Sequence, residues 1–125
     1  MGHPLLLAAS LLLAHWTADW TPLSRPWMLA AKKHGTPILP IAAHAAMHAV
    51  LMACVLIAFG VGALAIIIAS LMQFLTHWFI DIGKGRLAAK LPVTADSTKT
   101  WYWMVMGLDQ YLHQLVILLM VVICK

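Results

Sequence analysis

The sequence holds 125 residues, 63% of them hydrophobic and 10% charged, a composition too apolar for an ordinary soluble domain, so one small integral membrane domain spanning 1–125 is expected. Glutamate is absent, and the net charge of +4 comes from eight Lys and Arg residues, seven of them clustered in two stretches that flank apolar runs. That pattern suits anionic headgroups or a phosphate-bearing substrate and argues against nucleic acid as a partner. The two cysteines, Cys54 and Cys124, sit inside apolar runs and outside any CxxC or zinc-type spacing, which argues against a disulfide.

Pro4 to about Trp20 is leucine-rich, with no Lys or Arg before it and no small-residue cleavage site after it, so it reads as a retained span and not a secretory signal. It is just long enough to cross a hydrocarbon core of ~30 Å at ~1.5 Å per residue. Met1-Gly2 is no myristoylation signal, because Leu6 stands where Ser or Thr is wanted. In the stretch Thr21 to Pro37, Ser24 is suited to cap a short helix that Pro26 opens and Gly35 ends. Trp27, Met28 and Leu29 beside Lys32 and Lys33 place that helix in the headgroup layer. Spans at 38–59 and 61–82 follow, joined at Gly60-Val61-Gly62 as a tight helical hairpin. Alanines at helical spacing, Ala42/Ala46 and Ala45/Ala49/Ala53, allow close helix approach in lipid. A polar, basic connection from Gly83 to Thr100 leads to a last span at 101–124, which Trp101, Tyr102 and Trp103 open as an interfacial belt. The fold expected is therefore all-α: an integral membrane four-helix bundle, up-down-up-down, with a short interfacial helix between spans one and two.

Polar residues within the spans are few and regularly spaced. His15/Asp19, His44/His48, His77/Asp81 and Asp109/His113 are each four apart, a spacing that stacks both side chains on one helix face, and Gln73 lies one turn before His77. Antiparallel threading brings all four pairs to one side of the membrane. Seven of the eight basic residues occupy the two connections on that side, so the positive-inside rule makes it cytoplasmic, with both termini outside in a bacterial inner membrane.

Three aspartates within a membrane cost roughly 2.5 to 3.5 kcal/mol each on the insertion scale, so a neutralising partner is required. Imidazole with carboxylate suits Zn, Mn or Fe, whereas copper(I) favours sulfur and calcium favours oxygen alone. The expected ligands are His15, Asp19, His44, His48, His77, Asp81, Asp109 and His113, enough for two divalent ions and a bridging hydroxide, the nucleophile of two-metal hydrolysis. Asp109 and His113, the deepest pair, are the catalytic candidates: if all eight do not bind at once, one of them serves as proton acceptor or orients a ligand from outside the metal. Lys84 and Arg86 follow Asp81 closely enough to bind a substrate phosphate, although basic residues flanking a span are ordinarily topological, and Lys32 and Lys33 carry the same two readings. A lone His/Asp pair in a membrane helix is ordinarily an interhelical hydrogen bond; four pairs on one level favour metal. Gln73 either orients His77 or packs, and Gly107 either admits a close neighbour or relaxes its helix. Asp96 with Ser97 and Thr98 is read as capping ahead of the last span, and His3 and His34 as solvated. The methionines, Met47, Met104 and Met106 among them, are read as core or lipid-facing filler and not copper ligands.

Leu13-Ala14-His15-Trp16-Thr17-Ala18-Asp19, Trp27-Met28 with Lys32-Lys33, the His44/His48 helix, His77-Trp78-Phe79-Ile80-Asp81 with Lys84, and Asp109-Gln110-Tyr111-Leu112-His113 together resemble an uncharacterised family of small bacterial and phage membrane proteins, a domain of unknown function. The resemblance covers nearly the whole chain and implies that the polar set acts as a unit; it carries no reaction. A looser similarity is to membrane-bound metal-dependent hydrolases, by analogy alone.

The expected function is a metal-dependent hydrolase acting on a phosphate- or ester-bearing amphiphile from the inner leaflet. Three readings stand beside it: a divalent-cation or proton transporter, a di-iron oxidase, and a non-enzymatic bundle glued by its polar pairs. The lack of acidic residues in the outer half weighs against a transport pathway. A homo-oligomer is compatible with so small a bundle.

Overall fold

The computed structural model describes residues 3–124, so the Met1-Gly2 reading lies outside the described residues. Five α-helices and one short 3-10 turn form the chain, and no strand is present among the described residues. The helices are α1 (Pro4–Trp20), α2 (Pro26–His34), α3 (Ile38–Ala58), α4 (Ala63–Lys90) and α5 (Thr100–Ile123), with the 3-10 turn at Pro92–Thr94. Three of them, α3, α4 and α5, are long and apolar enough to cross a membrane, which points to a membrane protein. The first helix has 17 residues and rises about 25 Å, a little short of a full hydrocarbon core.

Proline and glycine set most boundaries. Pro4 and Pro26 open their helices, where a missing N–H costs nothing. Gly35 ends α2 at φ +68°, and its N–H and that of Thr36 both donate to the Ala31 carbonyl. Gly60, at φ +72°, turns the chain between α3 and α4, as the Gly60-Val61-Gly62 reading expects. Two local expectations are corrected. Ser24 does not cap α2: with Pro26 already removing one unpaired donor, its hydroxyl instead donates to the Ala18 carbonyl at 2.6 Å. The connection expected from Gly83 is helical in its first eight residues: α4 continues past Ile82 to Lys90, through Gly83 and Gly85, and ends only where Pro92 forbids further helix. Asp96 Oδ1 accepts from the Thr98 N–H at 2.9 Å and from its hydroxyl at 2.7 Å, a turn that leads into α5. Those two hydrogen bonds, the hydroxyl's first, hold the Asp96 carboxyl below the usual carboxylate range.

The four long helices touch in a ring, α1 on α3, α3 on α4, α4 on α5 and α5 on α1, while α2 lies across α3 and α4. One end of the interior is a purely apolar cluster in which Leu7 and Leu11 meet Met52, Leu56, Ala69, Ile117 and Met120. The start of α1 thus lies against the end of α3, and the start of α4 against the end of α5. Ala45 and Ala49 are buried where α3 meets its neighbours. Outward faces carry Leu39, Val50, Ile57, Leu64, Phe79 and Val122, all well exposed, an arrangement suited to a lipid surround. All six tryptophans sit at the end away from that cluster; Trp78 Nε1 donates to the Ile38 carbonyl and Trp103 Nε1 to the Ser97 carbonyl.

Candidate metal centre

The buried residues of α4 are Ala69, Gln73, His77, Asp81 and Gly85, one every four residues. That single stripe follows from helix geometry and points His77 and Asp81 into the ring. His44 and His48 enter from α3, His15 and Asp19 from α1, Asp109 and His113 from α5. The structure brings all eight expected ligands together in the half opposite the apolar cluster.

The contacts form two linked sets. Asp19 Oδ1 lies 3.1 Å from His44 Nε2 and 3.2 Å from His48 Nε2, and its Oδ2 lies 3.2 Å from His15 Nε2. Across the ring, Asp81 Oδ2 lies 3.2 Å from His77 Nε2, Asp81 Oδ1 lies 3.6 Å from His113 Nε2, and Asp109 Oδ1 lies 3.5 Å from the same nitrogen. The sets meet face to face, with the His48 and His77 rings 3.8 Å apart and the His77 and His113 rings 4.1 Å apart. Within two groups, Asp19/His44/His48/His77 and His77/Asp81/His113, one ligand atom from each residue lies within 4.8 Å of every other. Donor atoms about 2.0–2.2 Å from a tetrahedral ion are roughly 3.3–3.6 Å from one another, and the carboxylate–imidazole separations here, 3.1 to 3.6 Å, are of that order.

Hydrogen bonding accounts for only part of the cluster: Asp19 Oδ1 is hydrogen-bonded with His44 Nε2, His48 Nε2 and Lys32 Nζ, whereas the Asp81 carboxylate has no such partner. His15 Nε2, His77 Nε2, His113 Nε2, Asp109 Oδ1 and both Asp81 carboxylate oxygens are buried without a hydrogen-bond partner, although charged or polar neighbours stand close by. Around Asp81, imidazole nitrogens and carboxylate oxygens converge at 3.2 to 3.6 Å outside hydrogen-bond geometry. The Gln73 amide meets His77 Nδ1 at 3.4 Å, and its Oε1 is otherwise unpartnered. It is the amide nitrogen that faces Nδ1 and donates to it; turning the amide over would make Oε1 accept the Nδ1 proton and free the Nε2 lone pair.

Two lysines also enter the centre. Lys32 Nζ, from α2, lies 3.2 Å from Asp19 Oδ1, from Asp81 Oδ2 and from His44 Nε2. Burial alone would favour its neutral form, but Asp81, then Asp19 and Asp109, outweigh that and hold its pKa above the ordinary lysine range. Lys84 Nζ donates to Asp109 Oδ2 at 2.7 Å. Ser24 Oγ lies 3.3 Å from His44 Nδ1, a contact that orients the ring.

Ser24 reads in the sequence only as a cap, and Lys32 only as a flanking charge or a phosphate contact; the pairing of Lys32 with Asp19 and Asp81 is not legible there. What turns Lys32 inward is the packing of α2 on α4. A Cβ on Gly85 would lie 2.5 Å from the Lys32 carbonyl oxygen and 2.7 Å from Gly35 Cα, and one on Gly35 would lie 2.7 Å from the Arg86 nitrogen. Only paired glycines permit that approach. Arg86, expected beside Lys84 at a substrate, is exposed and faces this α2 contact. Lys84, with Lys32 and Lys33, lines a cavity of about 320 Å³ between α2, α4 and α5, whose wall also holds Thr94, Tyr102 and Met106. Gly107 has open space around it, so it admits no close neighbour, and His3 and His34 are exposed.

The chain matches no curated protein and no solved structure. A family profile covers residues 7–125, which include every residue of the centre, and the chain belongs to that family, described as protein of unknown function, DUF3307.

Proposed function

We propose that this protein is a metal-dependent hydrolase embedded in the membrane, acting on a phosphate- or ester-bearing amphiphile at the cytoplasmic leaflet. One observation carries the reading: four buried imidazoles and two carboxylates converge at ligand spacing, with His15 and Asp109 beside them, and many of these polar atoms have no hydrogen-bond partner. The eight side chains form two sets, one about Asp19 and one about Asp81, joined by His77, which lies at ligand range of both. His15, Asp19, His44 and His48 come from α1 and α3; His77, Asp81, Asp109 and His113 come from α4 and α5. Each set would hold one ion of Zn, Mn or Fe, and such ions supply an activated water and positive charge at a developing oxyanion. Asp109 and His113 are suited to accept a proton, and Lys84, between Asp109 and the cavity, is suited to orient a headgroup.

The topology that goes with this reading has four spans, up-down-up-down, with α1 crossing as well and α2 in the headgroup layer. Basic connections and tryptophans at the end that holds the centre support a cytoplasm-facing site in a bacterial inner membrane, with both termini outside. A second reading is favoured by Lys32 and Lys84, which neutralise carboxylates without any ion: the cluster is then a salt-bridged core that only holds the bundle. Turnover separates the two. Detergent-purified protein is incubated with fluorogenic phosphate-ester and carboxylate-ester amphiphiles. Hydrolysis is expected to vanish with a chelator, to return with Zn, Mn or Fe, and to be lost in His77→Ala. Turnover undiminished in His77→Ala would sink the hydrolase.

A further inference from the structure

Lys32 stands where the two ligand sets and the cavity meet. Its ammonium is 3.2 Å from Asp19 Oδ1 in one set and 3.2 Å from Asp81 Oδ2 in the other. The same side chain forms part of the cavity wall with Lys33 and Lys84. A cation touching both carboxylates and His44 Nε2 fills the space that a divalent ion bound to those atoms would need, and like charges repel strongly at such distances in a buried site. The backbone beneath Lys32 is fixed by the Gly35–Gly85 contact, but its four-carbon stem can rotate.

We propose that Lys32 is an exchangeable counter-cation that couples metal binding to anion binding. Without metal it neutralises Asp19 and Asp81. When a divalent ion takes those carboxylates, Lys32 swings to the cavity and, with Lys33 and Lys84, binds a phosphate monoester, while Leu29, Val105 and Met106 offer an apolar wall for a chain attached to it. This rests on the metal-centre reading and adds to it that metal and phosphate each strengthen the other's binding, as linkage requires.

The test is calorimetric titration of zinc into the full chain in a neutral detergent, with no phosphate, with methyl phosphate and with dodecyl phosphate. In the wild type, dodecyl phosphate is expected to raise zinc affinity about tenfold, a typical coupling. An equal effect of methyl phosphate assigns the cavity to a soluble phosphate ester; a smaller one assigns it to an amphiphile. Lys32→Met, shown to be folded by size-exclusion chromatography, is expected to bind zinc about tenfold more tightly than wild type without phosphate and to lose the phosphate effect. Ala88→Phe fills the cavity without touching a carboxylate; it should keep the wild-type zinc affinity, lose the dodecyl phosphate effect, and decide the matter with the wild type if Lys32→Met does not fold. Weaker zinc binding in folded Lys32→Met, or a wild-type affinity indifferent to both phosphates, overturns the exchange alone. No zinc binding in any of the proteins overturns the metal centre with it.

Discussion

Near the Gly60 turn the interior of the bundle is Leu7, Leu11, Met52, Leu56, Ala69, Ile117 and Met120, whereas a turn or two along the same helices it is His15, His44, His48, His77, Asp81, Asp109 and His113. The two halves share their stripes. Leu11 leads to His15, Met52 lies four residues from His48, and Ile117 four from His113; on α4 the stripe runs Ala69, Gln73, His77, Asp81. The backbone spacing that packs the bundle is therefore continuous, and only the side-chain chemistry changes, at one level in every helix. An apolar continuation would pack at less cost, since each buried carboxylate must be neutralised and each imidazole satisfied. The polar half is thus the part that packing alone does not explain.

The largest expected effect comes from breaking the polar half. Asp81→Ala removes the carboxylate that faces Lys32, His77 and His113 and leaves buried positive charge uncompensated. Loss of one partner of a buried pair costs about 3–5 kcal/mol, which thermal unfolding in detergent would read against the wild type. In the apolar half, Met52→Ala is expected to cost about 2–5 kcal/mol by cavity formation, measured the same way, while the polar half keeps its ligands. A milder disturbance reaches the join between them and α2. Gly85→Ala puts a methyl group against Lys32 and Gly35, an overpacking worth about 1–3 kcal/mol, and should also lift Lys32 away from Asp81. Smallest is the exposed turn at Asp96, outside both halves. Because hydrogen bonds from Thr98 lower its pKa in the folded state, the turn contributes stability above the ordinary carboxylate range and loses it as pH falls through the depressed folded value. Asp96→Asn should remove that acid-side dependence in melting curves at descending pH, with little change at neutral pH.

Much of this arrangement is legible in the residues themselves. Pro4, Pro26, Gly35, Gly60 and Pro92 punctuate the helices, and four polar pairs at a spacing of four mark the centre. What is not legible depends on contacts between distant segments. Gly83 and Gly85 look like breakers after a third span, yet α4 passes through them because Gly85 is where α2 packs. Lys32 and Lys33 are neighbours with the same local surroundings; the docking of α2 makes one a member of the centre and leaves the other exposed. Arg86 and Lys84 separate in the same way, two residues apart on one helix and therefore on different faces.

The most direct test of the metal centre is elemental analysis of detergent-purified protein without added metal or chelator, comparing wild type with Asp81→Ala and Met52→Ala. Two equivalents of zinc, manganese or iron per chain are expected in the wild type, retained in Met52→Ala and reduced or lost in Asp81→Ala. Folded wild-type protein with no bound metal would contradict the account and leave the polar half as a salt-bridged core.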